Sequence, residues 1–135
     1  MSEAHLWQYL RDGMGARWAA QRHEDKYSTG IPDVSYSTNC HGWIELKYVA
    51  RPPVRATQPV PVPHFTAAQR NWIRQHGSRG GKCWVLLQVK KTYLLFSWEL
   101  TPMVGFSTLS ELKRSASRGW EDTISWPELA TAISL

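Results

Sequence analysis

Three residues in the first third of the chain have the types and spacing that phosphate-directed water chemistry needs. Asp33 follows a Gly-Ile-Pro turn, and twelve residues on, Glu45 and Lys47 stand two apart. The residues around the pair, Trp43, Ile44, Leu46, Tyr48 and Val49, are those of a strand. Strand residues two apart share a face, so Glu45 and Lys47 point one way and Ile44, Leu46 and Tyr48 the other. A charged pair in so apolar a run is expensive to bury unless it is paired or bound to metal. Two carboxylates brought together repel, and a divalent cation removes the repulsion. All-oxygen ligands favour Mg²⁺ or Mn²⁺ over Zn²⁺. Such an ion acidifies a bound water and neutralises charge building on a phosphate. Lys47 would add a positive charge beside that developing anion. Taken alone, Glu45 and Lys47 read as a solvated salt bridge worth about 0–1 kcal/mol, and Asp33 by itself as a turn residue after proline.

Positioning these groups requires a set of elements that the sequence also marks. Ser2 can cap a helix to about Arg11, ended by Gly13 and Gly15, with Leu6, Leu10 and Trp7 as its apolar stripe. Glu3 lies in its first turn, where a carboxylate suits the helix dipole. Residues 16–23 read as a first strand, 24–30 as a polar loop or hairpin turn, 33–37 as a second strand and 42–49 as a third, an antiparallel meander. Residues 50–63 carry five prolines with Arg51 and Arg55, which excludes helix and central strand. This extended loop is either a plain spacer or a phosphate-backbone contact. Thr66 caps a helix to about His76, closed by Gly77, with Ala68, Trp72, Ile73 and His76 at the spacing of a buried stripe. Gln69 falls between Phe65 and Ile73, its amide inward or toward the site, and Arg70 and Arg74 share a more exposed face. Arg79 and Lys82 flank a glycine-rich basic loop. Residues 83–89 form the most apolar strand, expected to be central, followed by a strand at 92–98, a short helix over 107–114 and a last helix from Trp126 to the end. No internal repeat or domain boundary is visible, so residues 1–135 are expected to be a single domain.

With its order of helix, three strands, helix and strand, and with Pro32-Asp33 and Glu45-Leu46-Lys47 on the second and third strands, the chain resembles the PD-(D/E)xK phosphodiesterase superfamily. Gly30 before Pro-Asp, Trp43-Ile44 before the Glu, and a helix opening Thr66-Ala67-Ala68-Gln69 bring it nearest to small stand-alone VRR-NUC nucleases, often of phages, and to Holliday-junction resolvase-like enzymes. The resemblance covers roughly residues 3–96. It implies an α/β, restriction-endonuclease-like αβββαβ core: a mixed central sheet flanked by helices, here with an extra C-terminal helix. It implies Asp33, Glu45 and the Leu46 main-chain carbonyl as metal ligands with Glu3 as the acid of the first helix, Lys47 positioning or activating the water, and Gln69 as the Gln of the helix after the motif. Glu24 or Asp25 stands as the alternative third carboxylate. The activity implied is Mg²⁺- or Mn²⁺-dependent hydrolysis of DNA, leaving 5′-phosphate and 3′-hydroxyl ends, selective for branched, flapped or junction structures. Symmetric action on a junction would take a homodimer. The alternative is a non-catalytic nucleic-acid-binding module on the same fold, and a third reading is a basic packaging protein.

Composition is consistent with an anionic partner. The net charge is +5 over 135 residues, and Arg51, Arg55, Arg70, Arg74, Arg79 and Lys82 are the candidate DNA-backbone contacts. Eight tryptophans speak for a packed core, with Trp72 and Trp84 in packing roles and an exposed one such as Trp120 as a stacking surface for single strands. No apolar run reaches membrane-spanning length, and residues 1–13 lack signal-peptide character. Two cysteines, Cys40 and Cys83, suit free thiols in a reducing cytoplasm. Together with His41 and His64 they lack the paired spacing of a zinc site, and His23, His41 and His76 have no nucleophile partner for a hydrolytic triad.

Overall fold

The computed structural model describes residues 2–23 and 30–135. The alternative carboxylates Glu24 and Asp25, and most of the expected loop at 24–30, lie outside the described residues. Helix α1 (Glu3–Met14) is followed by β1 (Ala19–Arg22), β2 (Val34–Ser37) and β3 (His41–Val49), then α2 (Ala67–Gly77), β4 (Lys82–Val89) and β5 (Thr92–Ser97). After a 3-10 segment at Trp98–Met103 come α3 (Leu109–Ser115), β6 (Arg118–Glu121) and α4 (Trp126–Ile133). The αβββαβ order expected from the sequence is therefore present, with the extra C-terminal helix.

The six strands lie in one sheet in chain order. β3 and β4 pair in parallel, Glu45 opposite Val85 and Lys47 opposite Leu87, while every other neighbour pair is antiparallel. A parallel joint needs a long crossover, and the proline-rich segment with α2 supplies it. Alternation along the strands separates two cores. Ile44, Leu46 and Leu86 pack with Leu6, Leu10 and Met14 of α1 and Leu129 and Ile133 of α4. Cys83, Val85, Leu87, Val89 and Phe96 pack with Ile73 of α2, Leu112 of α3, and Val60 and Phe65 of the proline-rich segment. Helices thus cover both faces of a mixed sheet. Among the described residues no helix is long and apolar enough to cross a membrane.

Several expectations need correction. The first strand begins at Ala19 rather than residue 16, because Gly15–Arg17 forms a 3-10 turn. Strand β6 was not visible in the sequence; it pairs Trp120 opposite Tyr93. Trp120 is consequently buried, at 8% exposure, so it is no stacking surface. On α2 only Ile73 and Gly77 are fully buried. Ala68 and His76 are exposed, because the helix meets the sheet along a narrow stripe. Gly13 does not end α1. It sits inside the helix, where a Cβ would lie 2.0 Å from the ring of Trp126 on α4.

Helix propensity alone makes Gly13→Ala stabilising by about 1 kcal/mol. The Trp126 contact reverses that sign: G13A is expected to lower stability by about 1–3 kcal/mol, the range of overpacked cores, in urea unfolding followed by circular dichroism. Stabilisation would show that α1 and α4 do not meet at this close approach.

Candidate functional site

The site forms where β2 stops short of β3. The ladder between them runs only from Ser37–His41 to Val34–Ile44. Beyond it, side chains replace main-chain pairing. The Leu46 amide donates to Asp33 Oδ2 at 2.8 Å, and the Asp33 amide donates to Glu45 Oε1 at 3.1 Å. Pro32 contributes no amide here, and the reciprocal pair fixes both carboxyls against the edge of β3. In a strand the N–H and C=O of one residue face the same side. The Leu46 carbonyl therefore faces Asp33, past the last ladder pair. The turn is held from the other side by Gly30. Its φ is +95°, and a Cβ there would lie 2.3 Å from the Ala68 carbonyl oxygen at the start of α2.

Lys47 is 3% exposed and Glu45 fully buried, on the same face as expected. The Lys47 ammonium donates to the His64 carbonyl at 2.9 Å and to Gln69 Oε1 at 3.2 Å. Its Nζ lies 3.4 Å from Glu45 Oε2 and 3.7 Å from Glu3 Oε1, and 5.2 Å from the centre of the Phe65 ring. Gln69 Oε1 also accepts from the Thr66 amide at 2.9 Å, closing a capping box that anchors it at the head of α2. Ser2 caps α1 through its side chain to the His5 amide, which places Glu3 at the helix start with its side chain 41% exposed. The structure therefore brings Glu3, Asp33, Glu45, Lys47 and Gln69 together.

Two participants were not expected. The His64 carbonyl is directed at Lys47 by a backbone with φ of +63°, uncommon outside glycine. Phe65, next to it, walls the ammonium. Nothing in the sequence marks a left-handed residue after Pro63.

The electrostatics centre on Glu45. Burial, then the Asp33 charge and a shared hydrogen bond with Asp33, push its carboxyl up to about 9; Lys47 and the Asp33 amide oppose this. Burial and the Asp33 charge thus favour the protonated form of Glu45 where no cation is bound, and work against its pairing with Lys47. Half-burial also raises Glu3, against the pull of Lys47. Glu45 Oε2 is buried with no hydrogen-bond partner. An orphaned carboxyl oxygen beside a second carboxyl and a main-chain carbonyl is a donor set that fits a hard divalent cation. Among the described residues no three His, Cys, Asp or Glu side chains group to hold a metal; the Glu3 carboxyl lies beside the Lys47 ammonium and within the field of Asp33.

The six candidate backbone contacts divide. Arg51, Arg55, Arg74, Arg79 and Lys82 are exposed. Arg70 is not on the exposed face expected. Its guanidinium donates to the carbonyls of Thr101 at 2.8 Å, Val104 at 2.7 Å and Phe65 at 3.3 Å, and lies over the Phe65 ring. It ties α2 to the 3-10 segment through one N–H on each of its three nitrogens. Cys40 and Cys83 are free thiols, and burial pushes Cys83 up to about 11.

No protein-family model and no curated protein matches the sequence. Among solved structures, a Holliday junction resolvase of the archaeal hyperthermophile Archaeoglobus fulgidus is similar, with a TM-score of 0.49 and 16% identity over 73% of this chain and 75% of that one.

A carboxyl raised in the folded state binds its proton more tightly there than in the unfolded chain. The stability it contributes is full below the unfolded value of 4.5 and is lost as pH rises toward about 9. In EDTA, the thermal midpoint is expected to fall across that window. Glu45→Gln should flatten the fall, and Mn²⁺ should offset it in the parent. A profile unchanged by E45Q would place the proton elsewhere.

Proposed function

We propose that the protein is a Mg²⁺- or Mn²⁺-dependent DNA phosphodiesterase selective for branched or junction structures. The observation that carries this reading is the buried, reciprocally bonded Asp33–Glu45 pair with Lys47 alongside, open to solvent through half-buried Asp33 and Glu3. Asp33, Glu45 and the Leu46 carbonyl would hold the cation. When bound, it supplies an acidified water and charge neutralisation at the phosphate. The Lys47 ammonium would orient the nucleophile and stabilise the developing anion. Gln69 and the His64 carbonyl position Lys47, and Glu3 balances its charge from the solvent side. The products would carry 5′-phosphate and 3′-hydroxyl ends. Arg51, Arg55, Arg74, Arg79 and Lys82 would contact phosphates without reading sequence, which suits selection by shape. Symmetric cutting of a junction would take two copies of the chain.

The test is cleavage of branched, single-stranded and duplex DNA with and without each cation. Metal-dependent cutting, fastest on branched DNA, is expected. Asp33→Asn keeps an acceptor for the Leu46 amide but removes the charge; it should slow cutting roughly a hundredfold or more with little change in thermal midpoint. Lys47→Met should slow it comparably while DNA binding persists. Binding with no cutting in either metal would favour the non-catalytic module.

A further inference from the structure

We propose that the cleft between the start of β3 and the end of α2 is a stacking platform for an unpaired nucleobase of the substrate strand. This rests on the DNA reading above and names the feature of branched DNA that the site would select.

The cleft has a volume of about 450 Å³, and His41, Trp43, His76, Arg79 and Lys82 are among its lining residues. Trp43 stands on β3 two residues before Glu45, on the same face, so the cleft continues the active-site surface along one strand. At about 3.3 Å per residue the two Cα atoms are roughly 7 Å apart. Trp43 packs edge-on against Trp72, ring centres 5.0 Å apart at 66°, and His41 meets Trp43 at 5.9 Å and 83°. His76 stacks on Trp72 at 3.5 Å and 12°, and its Nδ1 donates to the Trp72 carbonyl, 2.8 Å away. Trp43 and Trp72 are half-buried, whereas His41 and His76 are exposed.

Packing explains why the two tryptophans meet the second core. It does not explain two exposed imidazoles extending the aromatic row into a cleft whose rim carries Arg79 and Lys82 and whose lining includes no Asp or Glu among the described residues. Rigid ring faces beside cations are the general composition of single-strand binding surfaces. The faces of paired bases are hidden in the duplex stack, so only an unpaired or extruded base can use such rings. Flaps, gaps and junction centres supply those bases and intact duplex does not. The charge of the strand's phosphates is complementary to Arg79 and Lys82, and the ring faces beside them, which acidic side chains cannot stack on, make nucleic acid rather than an acidic peptide the occupant.

The experiment is fluorescence anisotropy in EDTA, so that no cutting intervenes, with three DNAs: a blunt duplex, the same duplex with a thymidine flap, and that flap made of abasic residues. The parent is expected to bind the thymidine flap roughly tenfold tighter than the abasic flap, the scale of one base stacked on an aromatic ring. His76→Ala and Trp43→Leu should bring the thymidine flap down to the abasic value and leave the blunt duplex unchanged. His76 is exposed, so H76A keeps the test open even where W43L disturbs packing. Equal binding of the two flaps by the parent would overturn the proposal, as would an equal loss on all three DNAs in H76A. Base discrimination without any Mn²⁺-dependent cutting supports the platform and sinks the nuclease reading. Cutting without base discrimination does the reverse.

Discussion

The structure depends on one buried ammonium. Lys47 sits in the sheet interior at 3% exposure with a fully buried Glu45 beside it. Removing a charge from water costs roughly several kcal/mol per ion even after relaxation. Attraction between unit charges about 4 Å apart returns about 4 kcal/mol at an effective dielectric near 20. That does not cover two desolvations, and it is smaller still when Glu45 is protonated. Two oriented carbonyl oxygens, from His64 and Gln69, and a half-exposed Glu3 offset the rest. A Leu at position 47 would serve the fold without these devices, because Val85, Leu87 and Val89 already fill the neighbouring strand on that face. The arrangement is one in which stability is given up to hold a cation at a fixed point, as functional sites tend to do.

The surrounding elements can be understood as supports for that point. β2 ends early, and the edge of β3 it leaves open is closed by carboxyls rather than by main chain. The proline-rich segment, which reads in sequence as either a spacer or a phosphate-backbone contact, delivers the His64 carbonyl and the Phe65 ring to Lys47. Gly30 lets the turn before Asp33 press on the first turn of α2, where the capping box fixes Gln69. Arg70, bonded across to Thr101 and Val104, locks the same helix to the far side of the fold. The three contributors to the site, the turn, the strand and the helix head, are thus mutually braced.

Much of this was legible in the sequence because it follows from strand periodicity and local capping. The shared face of Glu45 and Lys47, the Thr66 cap, the Ser2 cap and the order of the elements all rest on short-range rules. What was not legible rests on tertiary contact. Gly13 looks like a helix terminator until Trp126 is placed on it, and Trp120 looks exposed until a four-residue strand pairs it opposite Tyr93. Arg70 and Arg74 look alike at four-residue spacing, but only Arg70 finds three carbonyls. The His64 carbonyl has no sequence signal, because a left-handed histidine is selected by what it must reach, not by propensity.

Period-two alternation on β3 also explains why chemistry and strand recognition would share one surface. Residues 43, 45 and 47 present, in order, a flat aromatic, a carboxyl and an ammonium to the same side, while Ile44 and Leu46 anchor the strand in the opposite core. A substrate strand lying along that face would meet ring, cation site and ammonium in fixed succession, with no hinge needed to align them. Glu45 is too deeply buried to meet a polyanion directly, and Asp33 and Glu3, half-exposed, would repel one. A divalent cation between Asp33 and Glu45 would change the sign of that local field. Binding of DNA at the carboxyl end of the face and binding of the cation would then be linked, each weakened where the other is absent, and the aromatic end would supply a contact that does not depend on the cation.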